Sequence, residues 1–210
     1  MSTTAPVLFN QTKPALIRIW HWLAFLFFAA SVTTVILNAT LFKTKKNIEM
    51  VQVKVKEKGG NITLDQAKNV AHEYSDKLWN VHKFIGFGLV FLMVWRIIAE
   101  FIITRDKKWA SRIKVANSLP DDTYDKSHYI MVQYSYLIFY VLFFIMASTG
   151  LVLAFEDVEA LKSFHKLAKD IHNLTQWGLY GFMTFHIAGV LLAELGEQNG
   201  IVSAMINGKK

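Results

Sequence analysis

Residues 171–195 read IHNLTQWGLYGFMTFHIAGVLLAEL, and this stretch determines the predicted fold class. Its only charged residue is Glu194, and its other ionisable side chains are Tyr180 and the imidazoles of His172 and His186. A helix rises about 1.5 Å per residue, so about 20 residues cross the ~30 Å hydrocarbon core of a bilayer. The stretch therefore predicts a transmembrane helix that carries two histidines.

Three further stretches have similar length and apolar character. The predicted spans are residues 19–42, 79–104, 129–155 and 171–195. Apolar residues make up 53% of the 210-residue chain and include 16 phenylalanines, which is high for a soluble domain. The first run is too long for a cleaved signal peptide, so we interpret it as a permanent span. We predict an all-α fold, a transmembrane four-helix bundle forming one integral-membrane domain over residues 1–210.

The first and third loops are predicted to carry amphipathic surface helices. In the first loop, residues 43–78, Thr63 and Gln66 have the spacing of a capping box, and a helix from Leu64 to Leu78 would lead into the second span. In the third loop, residues 156–170, a stripe of apolar residues at helical spacing indicates a helix on the membrane surface. Its members are Val158, Leu161, Phe164, Leu167 and Ala168.

The composition excludes several kinds of redox centre. The chain has no cysteine, so disulfides, iron–sulfur clusters and covalently attached c-type haem are excluded. The net charge of +7 is ordinary for a membrane protein with Lys and Arg in its loops. We therefore expect membrane lipid, and no nucleic acid, as a partner. Lys and Arg divide almost equally between the two sides of the predicted bundle, so charge alone does not decide the orientation.

The two histidines of the fourth span lie 14 residues apart, at 172 and 186. Fourteen residues are two heptads, so both imidazoles project from one helix face in a left-handed bundle, about 21 Å apart along the axis. One compact metal site needs ligands that converge within a few ångströms. The spacing instead predicts two cofactor sites at two depths, and neutral imidazole is a standard axial ligand of haem iron.

Counting depth along each span supplies the partner histidines. His21 and His186 lie toward the side of the termini, whereas His82 and His172 share the opposite level. We predict that each pair holds one six-coordinate haem iron. The alternative for a single histidine near a span end, such as His21, is an ordinary interfacial residue. The remaining histidines fall in polar loops and are not expected to be ligands: His72, His128 and His165.

Two arginines are candidates for the propionates of the haem between His21 and His186. Arg18 lies one turn before His21, and Arg96 shares the face of His82 at the level of the termini. For Arg18 the alternative is a cation that reaches the membrane interface, and for Arg96 it is an ion pair with Glu100, one turn further on. The glycines near the histidines would leave room for a haem, or would simply allow close helix packing.

These residues resemble the bacterial cytochrome b561 family, which includes the b-type cytochrome subunits of nickel–iron hydrogenases. The shared motifs cover nearly the whole chain except the long first loop. They are Arg18-x-x-His21-Trp22 in the first span, His82 with Gly86 and Arg96 in the second, His172 with His186 in the fourth, and a tail with Asn199, Gly200, Met205, Gly208 and Lys209. The family often has Pro where this chain has Ala147.

The resemblance implies two haem b groups, electron exchange with a quinone, and location in the bacterial inner membrane with both termini in the cytoplasm. We expect a membrane electron-transfer subunit that links a quinone pool to a redox partner, which would dock at residues 43–78. Its alternatives are a stand-alone superoxide:quinone oxidoreductase and a non-redox scaffold or proton relay. Family members that oxidise superoxide carry further histidines where this chain has Ala193 and Glu194, which argues against that chemistry. We expect the quinone near the terminus-side haem, with Glu100 or Glu194 carrying protons.

Overall fold

The computed structural model of the protein describes residues 14–102, 109–118, 124–196 and 200–208. These residues form helices α1 (Ala15–Thr40), α2 (Thr44–Glu57), α3 (Leu64–Ile102), α4 (Trp109–Asn117), α5 (Tyr124–Ala154), α6 (Glu159–Lys162), α7 (His165–Leu195) and α8 (Ile201–Asn207). Helices α1, α3, α5 and α7 are long and apolar enough to cross a membrane. The predicted all-α fold with four transmembrane helices is confirmed.

The second span is part of a longer helix than predicted. Helix α3 runs without interruption for 39 residues, so the predicted first-loop helix and the second span are one element. Its capping box is present, because the Thr63 N–H donates to Gln66 Oε1 at 2.9 Å and the Gln66 N–H donates to Thr63 Oγ1 at 3.2 Å. These bonds satisfy donors that the start of a helix leaves without partners. The last two residues of the predicted span, 103–104, lie outside the described residues.

The loops differ from the predictions in two places. The Lys-rich first half of the first loop forms helix α2, which the sequence did not indicate. In the third loop the apolar stripe is divided, because α6 ends at Lys162 and α7 begins at His165. The loop histidines consequently belong to helices: His72 to α3, His128 to α5 and His165 to α7.

The described chain divides into two compact units. One unit comprises Leu23–Val90. Within it, Ala67 and Ala71 are fully buried at a spacing of one turn, and the next residue in that series, Ser75, donates a hydrogen bond to Asn38 Oδ1 at 3.2 Å. Small residues at this spacing let a neighbouring backbone approach closely.

The other unit comprises Met1–Trp22 and Phe91–Lys210. Its main packing is between α5 and α7, where the rings of Phe139 and Phe182 lie 5.0 Å apart and Phe143 is 1% exposed. A Cβ added at Gly178 would lie 3.2 Å from Leu142 Cδ2, so Gly178 permits the close approach of the two helices. The α5–α7 contact thereby fixes the helix that carries His172 and His186.

Candidate functional site

His21 of α1 and His186 of α7 lie close together in one unit, with one ring edge-on to the other. Their ring centroids are 6.2 Å apart and their planes are inclined by 61°. Each ring is held by an aromatic neighbour, since His186 stacks on Phe182 at 5.9 Å and His21 meets the edge of Trp22 at 5.4 Å. The His21 Nδ1 atom is buried and has no hydrogen-bond partner among the described residues.

The separation of these two rings fits two ligands on one iron. An imidazole nitrogen binds a transition metal at about 2.0 Å, as in zinc sites, and the ring centroid lies about 1.1 Å beyond that nitrogen. Two imidazoles on opposite sides of one iron therefore place their centroids about 6.2 Å apart, by the same arithmetic. His21 and His186 have this separation, and their donor chemistry is that of axial haem ligands.

His82 lies in the unit formed by residues 23–90, where it contacts Thr34 of α1. The Thr34 Oγ1 and His82 Nδ1 atoms are 2.7 Å apart, and the same Oγ1 lies 2.6 Å from the Ser31 carbonyl oxygen. The Thr34 side chain is buried, with 5% of its surface exposed. Trp79 meets the His82 ring edge to face at 5.3 Å. The imidazole is thus oriented from two sides.

His172 has a similar partner in the other unit. The Thr149 Oγ1 and His172 Nδ1 atoms are 3.0 Å apart, and Thr149 Oγ1 also donates toward the Ile145 carbonyl at 2.7 Å. A Cβ added at Gly150 would lie 3.4 Å from His172 Cε1, so the imidazole rests against the glycine backbone. Neither threonine was singled out from the sequence, because a threonine in an apolar helix ordinarily bonds only to its own helix.

The glycines near the histidines divide into two groups. A Cβ at Gly88 would lie 2.0 Å from Phe27 Cε1, so this glycine serves close packing. At three others, a Cβ would meet no atom within 4 Å among the described residues: Gly86, Gly181 and Gly189. Gly86 is one turn after His82, and Gly181 lies between His172 and His186. Room beside the histidines and close helix packing are therefore both present, at different glycines.

Arg18 and Arg96 are engaged by protein groups. Arg18 Nη1 donates to the Ile206 carbonyl at 3.1 Å, while its buried Nε has no partner among the described residues. Arg96 Nη1 pairs with Glu100 Oε2 at 2.8 Å, and Arg96 Nε donates to the Tyr140 hydroxyl at 2.7 Å. For Arg96 the structure therefore has the alternative partner, Glu100, that the sequence also indicated.

The C-terminal helix α8 is held at both ends by residues of the two helices that carry His21 and His186. Trp22, next to His21, donates from Nε1 to the Met205 carbonyl at 3.1 Å, beside the Arg18–Ile206 bond. At the other end, Glu194 of α7 accepts hydrogen bonds from the N–H groups of Gly200 at 3.0 Å and Val202 at 3.1 Å. We call these contacts the α8 clamp.

The clamp explains several residues whose role the sequence did not reveal. Glu194 caps the start of α8, where a carboxylate is favoured by both the free N–H groups and the helix dipole. Gly208 ends α8 with a φ of +80°, and a Cβ there would lie 2.7 Å from Arg18 Nη1. The sequence does contain a signal for helix α8, because a glycine stands at each boundary of residues 201–207, at Gly200 and Gly208.

Comparison with known families gives one match. The family model described as prokaryotic cytochrome b561 matches residues 13–208, nearly the whole chain. Comparison with curated proteins and with solved structures gives no match. The matched region contains all four histidines of the predicted pairs.

Proposed function

The chain belongs to the prokaryotic cytochrome b561 family, and on this basis we propose that it passes electrons through two b haems, each held by two histidines. Membership makes the chain a membrane b-type cytochrome of electron transfer. The haem number and the ligands are our proposal. His21 and His186 hold one haem, and His82 and His172 hold the other.

The approach of His21 and His186 carries the proposal. Their rings come from the first and the fourth span, and at 6.2 Å apart they would be close enough to hold one haem between them. The pairing of His82 with His172 rests on their common depth in the sequence. Each of these two imidazoles also has a threonine partner at Nδ1, which is typical of a ligand whose other nitrogen faces a metal.

The chain's residues favour electron transfer over chemistry on a substrate at the iron. When bound, the haem supplies an iron that alternates between the ferric and ferrous states. Each haem would be held by two protein imidazoles, which would leave no place at its iron for a substrate. Phe182 and Trp22 hold the rings of His186 and His21, so little rearrangement accompanies a change of charge.

We further propose that the electrons are exchanged with a quinone near the haem of His21 and His186. A quinone needs apolar walls, a few polar groups and a source of protons. The Arg96–Glu100 ion pair with the Tyr140 hydroxyl is a polar group of this kind, and the side chains of Arg96 and Glu100 are 15% and 34% exposed. A redox partner, where there is one, docks at residues 43–78, and both termini lie in the cytoplasm of a bacterial cell.

The test is haem stoichiometry in the purified full-length protein and in single histidine variants. We expect two b haems per chain by a pyridine haemochrome assay. His21→Ala and His186→Ala should each lose the same haem, and His82→Ala and His172→Ala should each lose the other haem. The two haems are distinguished by their midpoint potentials. His165→Ala, at the first residue of α7 and outside the predicted pairs, is the control and should keep both haems. One haem or none in the native protein, or a common loss in His21→Ala and His82→Ala, would contradict the proposal.

A further inference from the structure

The two threonine–histidine contacts determine which ring nitrogen carries the proton. A hydroxyl has one proton to donate, and a carbonyl oxygen can only accept one. Thr34 Oγ1 lies 2.6 Å from the Ser31 carbonyl and Thr149 Oγ1 lies 2.7 Å from the Ile145 carbonyl, so each hydroxyl donates to its own helix. Toward the imidazole, each hydroxyl oxygen is then an acceptor. His82 and His172 must therefore carry their proton on Nδ1.

A neutral imidazole protonated at Nδ1 presents its lone pair at Nε2. The arrangement recurs in the two units of the chain, with Nδ1–Oγ1 distances of 2.7 Å for His82 and 3.0 Å for His172. The burial of Thr34, at 5% exposure, keeps water from replacing its hydroxyl at His82. In both contacts a threonine hydroxyl accepts a hydrogen bond from Nδ1 of a histidine, and the sequence predicts that the two histidines lie at the same depth.

We propose that Thr34 and Thr149 are positioning residues that hold His82 and His172 as Nε2 ligands and lower the reduction potential of their haem. The inference rests on the proposed function, because it takes these histidines as axial ligands. An acceptor at Nδ1–H draws the proton away from the ring and makes Nε2 a stronger donor. A stronger donor stabilises ferric iron relative to ferrous iron, so the potential falls.

The other pair of histidines lacks this feature at His21. Its Nδ1 atom is buried without a hydrogen-bond partner among the described residues, and its ring is oriented by Trp22. The two haems therefore differ in the hydrogen bonding of their ligands. Removing a threonine hydroxyl should consequently change one haem and leave the other as it is.

The experiment is a potentiometric titration of the haem absorption bands in the full-length haem-loaded protein. Thr34→Val and Thr149→Val remove a hydroxyl at nearly constant volume. Both variants should shift the reduction potential of the same haem, that of His82 and His172, to a more positive value. The double variant should shift it further, because the two hydrogen bonds act on two ligands. Thr34→Ser and Thr149→Ser keep the hydroxyl and should restore the native potential.

Matched controls separate this effect from the loss of a helix hydrogen bond. Thr33 Oγ1 bonds to the Ala29 carbonyl at 2.8 Å and Thr184 Oγ1 to the Tyr180 carbonyl at 2.9 Å, and both residues are exposed. Thr33→Val and Thr184→Val should leave both potentials unchanged. Should the valine variants at 34 and 149 keep the native potentials, or shift the haem of His21 and His186, the inference is wrong.

The two proposals fail in different ways. If the native protein holds two haems whose loss follows the predicted histidine pairs, and the threonine variants have native potentials, only the role of the threonines is refuted. If His82→Ala and His172→Ala keep both haems, the ligand assignment itself is refuted. Thr149→Val provides a second test in a separate unit of the chain if Thr34→Val does not accumulate as folded protein.

Discussion

Two glycines of α3, two residues apart, should respond to the same substitution in opposite ways. At Gly88 an added Cβ would lie 2.0 Å from Cε1 and 2.6 Å from Cδ1 of Phe27. Ordinary carbon contacts are about 3.5–4.0 Å, so the ring or the helix must move by roughly 1.5 Å. Overpacking of this kind costs about 1–3 kcal/mol, and we expect the upper half of that range because an aromatic ring yields little.

At Gly86 the same Cβ meets no described atom within 4 Å. Alanine is favoured over glycine inside a helix by about 1 kcal/mol, so Gly86→Ala should not destabilise the fold. Gly86 lies one turn from His82, on the side where the proposed haem needs room. Gly86→Ala should therefore reduce the haem held by His82 and His172 while the protein remains folded.

The assay is thermal unfolding of both variants in detergent, together with haem content. For a chain of this size, 1 kcal/mol corresponds to roughly 2–4 °C in Tm. Gly88→Ala should melt several degrees below the native protein, and Gly86→Ala should not. A native Tm for Gly88→Ala would refute the packing argument. Full haem content with a native spectrum in Gly86→Ala would refute the placement of a haem beside this glycine.

Three further predictions follow from the site. The three remaining histidines are His72, His128 and His165. Replacing all three by alanine should leave the haem spectrum unchanged, and a weakened Soret band would show that one of them is a ligand. Glu194→Ala removes both hydrogen bonds to α8 and should lower the free energy of unfolding by about 1–3 kcal/mol, at about 1 kcal/mol per bond. Glu194→Gln keeps one acceptor oxygen and should lower it less. Equal melting temperatures of the Ala variant and the native protein would refute the capping role. Glu100→Gln should slow steady-state quinone reduction with both haems intact, whereas a native rate would move the quinone away from the Arg96–Glu100 pair.

The features that follow from local sequence were predictable. Four apolar runs of bilayer length indicated four spans, and the capping box at Thr63 and Gln66 depends on residues three positions apart. The approach of His21 and His186 could also be anticipated, because depth along a span is a matter of counting residues. Helix α2 was missed because Val51, Val53 and Val55 alternate with polar residues, which is a strand-like period.

The other contacts between distant parts of the chain were not predictable. Thr34 and His82 are 48 positions apart, and Thr149 and His172 are 23 apart, so no periodic pattern connects them. A threonine that bonds to its own helix looks the same in the sequence whether or not an imidazole lies beyond it. Glu194 was interpreted from the sequence as a proton carrier, because its contacts with the N–H groups of Gly200 and Val202 depend on how α8 packs against α7.

The α8 clamp has a consequence for the order in which the protein is built. A chain leaves the ribosome from its N-terminus, so Arg18 and Trp22 enter the membrane long before the carbonyls of Ile206 and Met205 exist. Until then their donors are without these acceptors, and the helix bearing His21 is not tied to the helix bearing His186. The approach of His21 and His186 is therefore possible only after the fourth span is in place, and the same holds for the proposed pairing of His82 with His172, whereas Thr34 and His82 can meet once the second span has inserted. Neither pair of histidines is complete before the fourth span has inserted, and the α8 clamp is the last of these contacts to form.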